Sequence, residues 1–346
     1  MPAAPPRRSA PAPLMLCLVT GGTGFVGSHT VRALRGDGHD VRLLVRDRAK
    51  AEELHLTGGF GELIVGDVTD PAAVAAALSG VDAVVHCAAV VATDVSPRSR
   101  RGEAMHTVNV RSTELVIGGA VHRGIDAVVY LSSQTALFTP GAPIDARSVP
   151  PVARGAYTRS KAAGDNYVRT LQDGGAPVST LYPPGVIGPD DPGLSEGNRA
   201  IRGFLSQLVP DTTSGYEVID VRDLAALISA SAAGARPGRH VVNGHFLRWP
   251  ELITLLDDLT GRRVRRLRLN GAFLRALGRA ADRVPMHLPL SAETMELATA
   301  WPDTAAEKIG SPGFALRDVR CSFADTIRWL HRTGLITHRH AGRLAS

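Results

Sequence analysis

The chain has 346 residues, 44% of them apolar and 21% charged, with a net charge of +6. That length is about two domains' worth of core and needs no disulfide or metal staple. The balance excludes wholesale disorder, no apolar run approaches the ~20 residues of a membrane span, and Cys17, Cys87 and Cys321 form neither a CxxC pair nor a disulfide framework. Such cysteine usage fits a reducing compartment, so a cytoplasmic location is expected. The positive charge is small and spread along the chain, so nucleic acid is not an expected partner.

Residues 1–13 are Pro, Ala, Arg and Ser and read as a disordered tail. From Leu14 onward, apolar runs alternate with amphipathic stretches of helical length. Strands are expected at Leu14–Thr20, Asp40–Arg46, Glu62–Val65, Ala83–His86, Ala127–Ser132 and Pro177–Pro183. Helices are expected at Phe25–Arg35, Ala49–Leu56, Pro71–Leu78, within Arg101–His122, and at Ala156–Leu171. Strand and helix repeated this often define an α/β fold of the Rossmann type, a doubly wound parallel sheet. The near-continuous apolar strands agree, because central parallel strands are buried on both faces.

After Pro183 the rhythm degrades into a loop-rich stretch over 184–217. A strand–helix signal returns near Val218–Ser231, followed by a strand at His240–Asn243. Helical patterns follow at Pro250–Leu259, Ala272–Asp282, Ala292–Ala300 and Phe323–Thr333. The expected organisation is a parallel α/β domain over 14–183 plus about 218–245. A smaller, mostly C-terminal lobe takes 184–217 plus about 246–335. Residues 336–346, with His338 and His340, are expected to be a tail.

The first strand runs into Thr20-Gly21-Gly22-Thr23-Gly24-Phe25-Val26-Gly27. Its glycines permit a tight turn, close approach of backbone to a pyrophosphate, and close helix–strand packing. The helix that follows points its first amides at the phosphates. The loop sits between a strand and a helix at the start of a βαβ unit, the context that a dinucleotide site requires. Gly21, Thr23, Gly24, Phe25, Val26 and Gly27 are therefore candidate cofactor contacts.

The second strand ends in Arg46, with Arg48 and Lys50 close by. An acidic residue there would favour NAD, whereas a guanidinium suits a 2′-phosphate. NADP is the expected preference, with NAD possible. Asp67 and Val68 after the third strand, and Ala88 and Ala89 after the fourth, could lie against the adenine end and the cofactor backbone. Tyr157 and Lys161 form YxxxK on an expected helix, where the spacing puts both side chains on one face. A nearby ammonium lowers a phenol's pKa toward neutrality. Ser132 and Ser133 place hydroxyls at the carboxyl end of the fifth strand, the edge where ligands bind in this architecture.

These motifs, in this order and spacing, resemble the extended short-chain dehydrogenase/reductase family, the group of NAD-dependent epimerase/dehydratases and dihydroflavonol-reductase-like enzymes. Further carriers are Asn109 in Val108-Asn109-Val110, Pro183 through Pro189, and Val221-Arg222-Asp223. The resemblance implies that Tyr157 is the catalytic acid/base, that Lys161 holds the nicotinamide ribose, and that Ser133 bonds the substrate oxygen. It also implies that Asn109, Pro183 and Val186 belong to the cofactor site, and that the enzyme is a homodimer through the helices of 101–122 and 156–171. The doubled proline, Pro183-Pro184, departs slightly from the family pattern. Asp223 is expected to support the fold as a charge at a helix start.

The implied reaction is hydride transfer between a nicotinamide and a carbonyl or alcohol carbon of a small-molecule substrate. Gln134-Thr135-Ala136 after Ser133 carries no acidic pair, which counts against a dehydratase. Gly215-Tyr216-Glu217 lacks the cation with which nucleotide-sugar members of the family grip a diphosphate. A fairly apolar substrate is expected, as in carbonyl, dihydroflavonol or hydroxysteroid enzymes, with a nucleotide-sugar epimerase or dehydratase as the alternative. A non-catalytic NAD(P)-binding regulatory protein is a further alternative. The basic stretch from Arg262 to Arg283 reads as a lobe helix with a solvated arginine face, with a basic amphipathic helix on a membrane surface as the alternative, and no stable membrane association is expected. The histidines form no HExxH or Cys/His cluster, so no metal is expected.

Overall fold

Val, Leu and Ile crowd the strands because a parallel strand must be apolar on both faces to be covered by helices on both. The computed structural model of the chain describes residues 14–57, 61–91, 99–148, 155–234, 236–268, 270–281, 292–302, 308–309 and 315–345. The expected tail over 1–13 lies outside them. The first six strands are β1 (Leu16–Thr20), β2 (Asp40–Val45), β3 (Gly61–Val65), β4 (Ala83–His86), β5 (Ala127–Leu131) and β6 (Val178–Tyr182). They are followed by β7 (Gly185–Ile187), β8 (Val209–Asp211), β9 (Gly215–Asp220), β10 (Gly238–Val242), β11 (His245–Arg248), β12 (Arg266–Arg268) and β13 (Lys308–Ile309).

The main sheet is parallel throughout, in the order β13-β10-β6-β5-β4-β1-β2-β3. Its direction of winding reverses between β1 and β4, so a crevice opens at their carboxyl ends. Alternation along β1 sends Cys17 and Val19 to one face and Leu18 to the other. On the first face lie α1 (Phe25–Gly36) and, later in the chain, α8 (Val221–Ala233), with Val31, Leu34, Leu224 and Ile228 in one core. On the second lie α3 (Pro71–Ala77) and the helix that begins as α4 (Arg100–Thr113) and continues through a π-turn at Glu114–Gly118 into α5 (Gly119–His122). There α6 (Ala156–Asp173) packs beside α4, and Val74, Ile117 and Val168 meet Leu18, Val84 and Val128. A short helix, α2 (Arg48–Glu53), links β2 to β3.

A second core gathers α7 (Glu196–Ser206), α9 (Trp249–Thr260) and α12 (Val319–Arg332) around Trp249, Phe323 and Ile327. The strands β11, β9 and β7 form a small sheet beside it, and β12 pairs with β8. Between these lie α10 (Gly271–Ala281) and α11 (Ala292–Ala300). Phe138 after β5 stacks on Trp301 after α11 at 5.2 Å, in one apolar cluster with Ile144, Tyr182 and Leu297. This cluster ties the loop after β5 to the smaller core.

One expectation is corrected here. Residues 336–345 are not a tail: Thr337 caps α13 (His338–Ala341), and Ile336 and Ala341 are buried in the second core. A short apolar side chain on each side of a capped turn is enough to dock it. Among the described residues over 262–283, the solvated arginines are Arg263, Arg265, Arg266 and Arg268, and α10 also turns apolar side chains outward. Arg275 is half-buried and donates to Thr299 Oγ1 at 3.0 Å, while Phe273 and Leu277 face outward. Leu274 on the opposite side is buried, so packing of that face sets the rotation of the helix.

Candidate active site

The glycine loop leaves β1 through Gly21, whose φ of +72° is a left-handed conformation open to glycine. Gly24 N–H donates to the Gly21 carbonyl at 2.9 Å, closing the turn. A Cβ on Gly27 would lie 2.1 Å from that same carbonyl oxygen, and one on Gly21 would lie 2.6 Å from the Ala88 nitrogen. Backbone thus approaches backbone where β1, α1 and the segment after β4 meet. No side chain caps the start of α1 at Gly24, which is exposed. Its first amides therefore face the crevice and suit a pyrophosphate. The cradle fits a dinucleotide. Thr23 is half-buried in the loop, and Phe25 is buried edge-on against His29. Val26 at the start of α1, Cys87 and Leu131 at the ends of β4 and β5, and Val186 in β7 are half-buried and pack against the first core.

Arg46 and Asp67 lie at the ends of β2 and β3, both exposed. Asp67 accepts from Thr69 N at 2.8 Å and Thr69 Oγ1 at 2.7 Å. These bonds, with the charge of Arg46, hold its carboxyl below the usual range. Asp47 accepts from Lys50 N at 3.3 Å as the cap of α2. Val68 packs under the sheet with Ile64 and Ala73. Ala88 and Ala89 are half-buried.

Ser133 is half-buried just past β5 and accepts from Thr135 N at 3.2 Å and Thr135 Oγ1 at 2.9 Å, leaving its own O–H as the remaining donor. Ser132 is buried. Tyr157 opens α6, buried against Met105 and Ala156. One turn on, Lys161 Nζ donates to the Leu131 carbonyl at 3.1 Å, two residues from Ser133. Burial pulls this ammonium down to about 8. The same strand end therefore receives the hydroxyl of Ser133 and the charge of Lys161. Pro183 is buried and its carbonyl accepts from Gln134 N at 3.0 Å, joining β6 to the turn that follows Ser133.

Asn109, expected at the cofactor site, is held by three hydrogen bonds. Its Oδ1 accepts from Val90 N at 2.7 Å, and its Nδ2 donates to Val90 O and to Ser160 Oγ, each at 2.9 Å. It staples the segment after Ala89 to α6, so its role here is positioning.

Several residues around the site had no place in it assigned from the sequence. His86 Nδ1 meets Thr20 Oγ1 at 2.7 Å, and its ring stacks on Tyr130. Burial, reinforced by the charge of Lys161, pushes His86 down to about 3, so it is a neutral strut. Asp165 and Arg169 form a buried pair on α6 at 2.6 Å. Tyr182 OH donates to Asp165 at 2.5 Å, and Arg169 Nη2 donates to the Ala146 carbonyl at 2.9 Å. The i, i+4 spacing of Asp165 and Arg169 was the available signal. Nothing local signalled Tyr182 or Ala146. Asp223 sits in the first turn of α8, pairs with Arg317 at 3.2 Å and accepts from its N–H at 2.8 Å, a structural role.

A glycine cradle, a switch-point crevice and a Ser/Tyr/Lys set at one strand end define a nucleotide-binding α/β protein of the short-chain dehydrogenase/reductase kind. The model of the NAD dependent epimerase/dehydratase family matches residues 17–244. The chain belongs to that family, whose members are NAD-dependent enzymes. Among relatives, it is 27% identical over 336 residues to sterol demethylase protein B of Methylococcus capsulatus, covering 93% of this chain and 100% of that one. It is 32% identical over 264 residues to 2-alkyl-3-oxoalkanoate reductase of Stenotrophomonas maltophilia, covering 71% and 76%. The fold is similar to that of a nucleoside-diphosphate-sugar epimerase from Pseudomonas aeruginosa, with a TM-score of 0.71, 22% identity, and coverage of 93% and 99%. Among the described residues, no helix is long and apolar enough to cross a membrane.

Proposed function

We propose that the chain is an NADP-preferring oxidoreductase that interconverts a carbonyl and an alcohol on a small, uncharged, fairly apolar substrate. The observation that carries this reading is the bond from Lys161 Nζ to Leu131 O, which puts the ammonium beside Ser133 and one turn from Tyr157. In this reading Tyr157 moves the proton at the substrate oxygen, and Ser133 donates a hydrogen bond to the same oxygen. Lys161 supplies positive charge that favours the phenolate of Tyr157. A nicotinamide, held by the glycine cradle, supplies the hydride chemistry when bound.

Two features support NADP. Arg46 is exposed at the end of β2, where a 2′-phosphate would lie. Asp47, the acidic alternative, is engaged in capping α2. An apolar substrate is supported by the stacked pair of Phe138, on the loop after β5, and Trp301, after α11. Glu217 stands on β9 where a diphosphate would need a cation, with Trp301 Nε1 3.5 Å from its carboxylate. The sterol and oxoalkanoate names of two relatives point the same way. The reading includes action in the cytoplasm as a homodimer through α4 and α6, helices that pack side by side.

The test is NADPH absorbance decay against ketones, aldehydes, steroids and nucleotide sugars, with paired NADPH and NADH titrations of wild type and Arg46→Ala. Consumption with an apolar ketone, and tighter NADPH binding that Arg46→Ala abolishes, is the expected result. Turnover of nucleotide sugars alone, or NADH binding as tight as NADPH, would overturn the reading.

A further inference from the structure

The helix α10 exposes an apolar face. Ala272, Phe273, Ala276, Leu277 and Ala280 are exposed, and their spacing puts them on one side of the helix. Phe273 is 59% exposed and Leu277 40%. Large apolar side chains held in water like this, on a helix already anchored by buried Leu274, mark an interaction surface. The chain enters this helix from a ribbon that also exposes apolar side chains. The ribbon of β8 and β12 ends at Arg268, just before the Asn270 side chain caps the first turn of α10 at Ala272 N. Leu208, just before β8, and Leu267, on β12, are 42% and 41% exposed.

Charge says what the face meets. No Asp or Glu occurs between Asp258 and Asp282, whereas Arg263, Arg265 and Arg266 are all exposed there. Among the described residues, Arg268 alone in that group meets an acid, Asp211 at 3.1 Å, and its own side chain is 79% exposed. An exposed apolar face, with exposed guanidinium groups on the ribbon that leads into it, matches an anionic bilayer, whose headgroups take the arginines while the interface takes Phe and Leu. A protein partner would need a complementary acidic rim around an apolar centre, whereas a bilayer supplies both from lipid alone.

We infer that α10 and the adjoining β8–β12 ribbon form a peripheral docking surface for anionic lipid bilayers. No helix inserts across the membrane in this arrangement. The surface rests on the bilayer, so attachment is reversible and salt-sensitive.

Flotation of the full chain with phosphatidylcholine vesicles, with and without phosphatidylglycerol, tests this. Wild type is expected to float with the anionic vesicles about tenfold more than with the neutral ones, and to be released at roughly 0.5 M salt. Phe273→Asp with Leu277→Asp, and separately Arg265→Glu with Arg266→Glu, are each expected to lose about tenfold in vesicle binding. Both pairs are exposed, so unchanged NADPH binding and melting temperature report an intact fold. Wild type that stays unbound to anionic vesicles at low salt overturns the inference. So does a folded Phe273→Asp, Leu277→Asp variant that floats like wild type. A change in oligomeric state in that variant assigns the face to a second copy of the chain and likewise overturns it.

Discussion

Lys161 Nζ lies 3.1 Å from the carbonyl oxygen of Leu131, a single bond that joins α6 to the end of β5. It places a buried ammonium where the strand delivers Ser133 and leaves Tyr157 one turn back on the same helix face. Tyr157→Phe is expected to lower turnover by about 10²–10⁴-fold while leaving NADPH affinity unchanged. Lys161→Met should lose turnover and weaken cofactor binding as well. Steady-state rates beside fluorescence titration of NADPH separate the two. A Tyr157→Phe enzyme of wild-type activity would remove this tyrosine from the chemistry.

The cradle yields a sharp contrast between glycines. A Cβ at Gly27 meets the Gly21 carbonyl carbon at 2.7 Å as well as its oxygen, and backbone cannot step aside as a side chain can. Gly27→Ala is expected to cost about 1–3 kcal/mol and to abolish NADPH binding. Gly203 in α7 has open space around its position, so Gly203→Ala should be neutral or stabilising by up to ~1 kcal/mol. Urea denaturation of both variants with NADPH titration checks this.

His86 makes stability depend on acidity. Its pKa falls from 6.5 to about 3 in the folded protein. Below pH 6.5 the unfolded chain takes up a proton that the folded chain refuses, so stability present above 6.5 is lost as pH falls toward 3. The slope from this group approaches ~1.4 kcal/mol per pH unit, or about 2 kcal/mol between 6.5 and 5. His86→Gln should be less stable at pH 7, having lost the bond to Thr20, but flatter with pH. Urea midpoints at pH 7 and 5 measure both; an unchanged slope in the variant would count against His86.

The pair of Asp165 and Arg169 carries a further consequence. Arg169→Met leaves a fully buried carboxylate without its partner, at a cost of about 3–5 kcal/mol. It also releases the Ala146 carbonyl, and with it the loop that carries Phe138 toward Trp301. Arg169→Met with Asp165→Leu is expected to regain much of the stability but not the loop anchor. In the double variant KM should rise more than kcat falls. Equal stability of the single and double variants would show that the charge of Asp165 is not what matters.

Six strands fell within a residue or two of their expected ends, because a strand covered on both faces needs an apolar run that few other structures tolerate. The short strands β7, β8, β11, β12 and β13 were missed, since two to four residues carry no readable period. The packed turn at Ile336–Ala341 was missed for the same reason. That Phe273 and Leu277 face outward was not legible, because arginines and apolar residues alternate closely along α10. Which side is buried depends on what Leu274 and Arg275 meet across the chain.

By itself the sequence determined the parallel α/β frame, the dinucleotide loop, and the identity of Ser133, Tyr157 and Lys161 as candidates. Each of these rests on local rules: strand periodicity, glycine stereochemistry, and the helical spacing of two residues. Tertiary structure alone decided that Asn109 clamps Val90, that Asp165 gathers Arg169 and Tyr182, and that Phe273 faces water. Those outcomes depend on pairs brought together from distant parts of the chain, and on which of two amphipathic faces finds a neighbour to bury it.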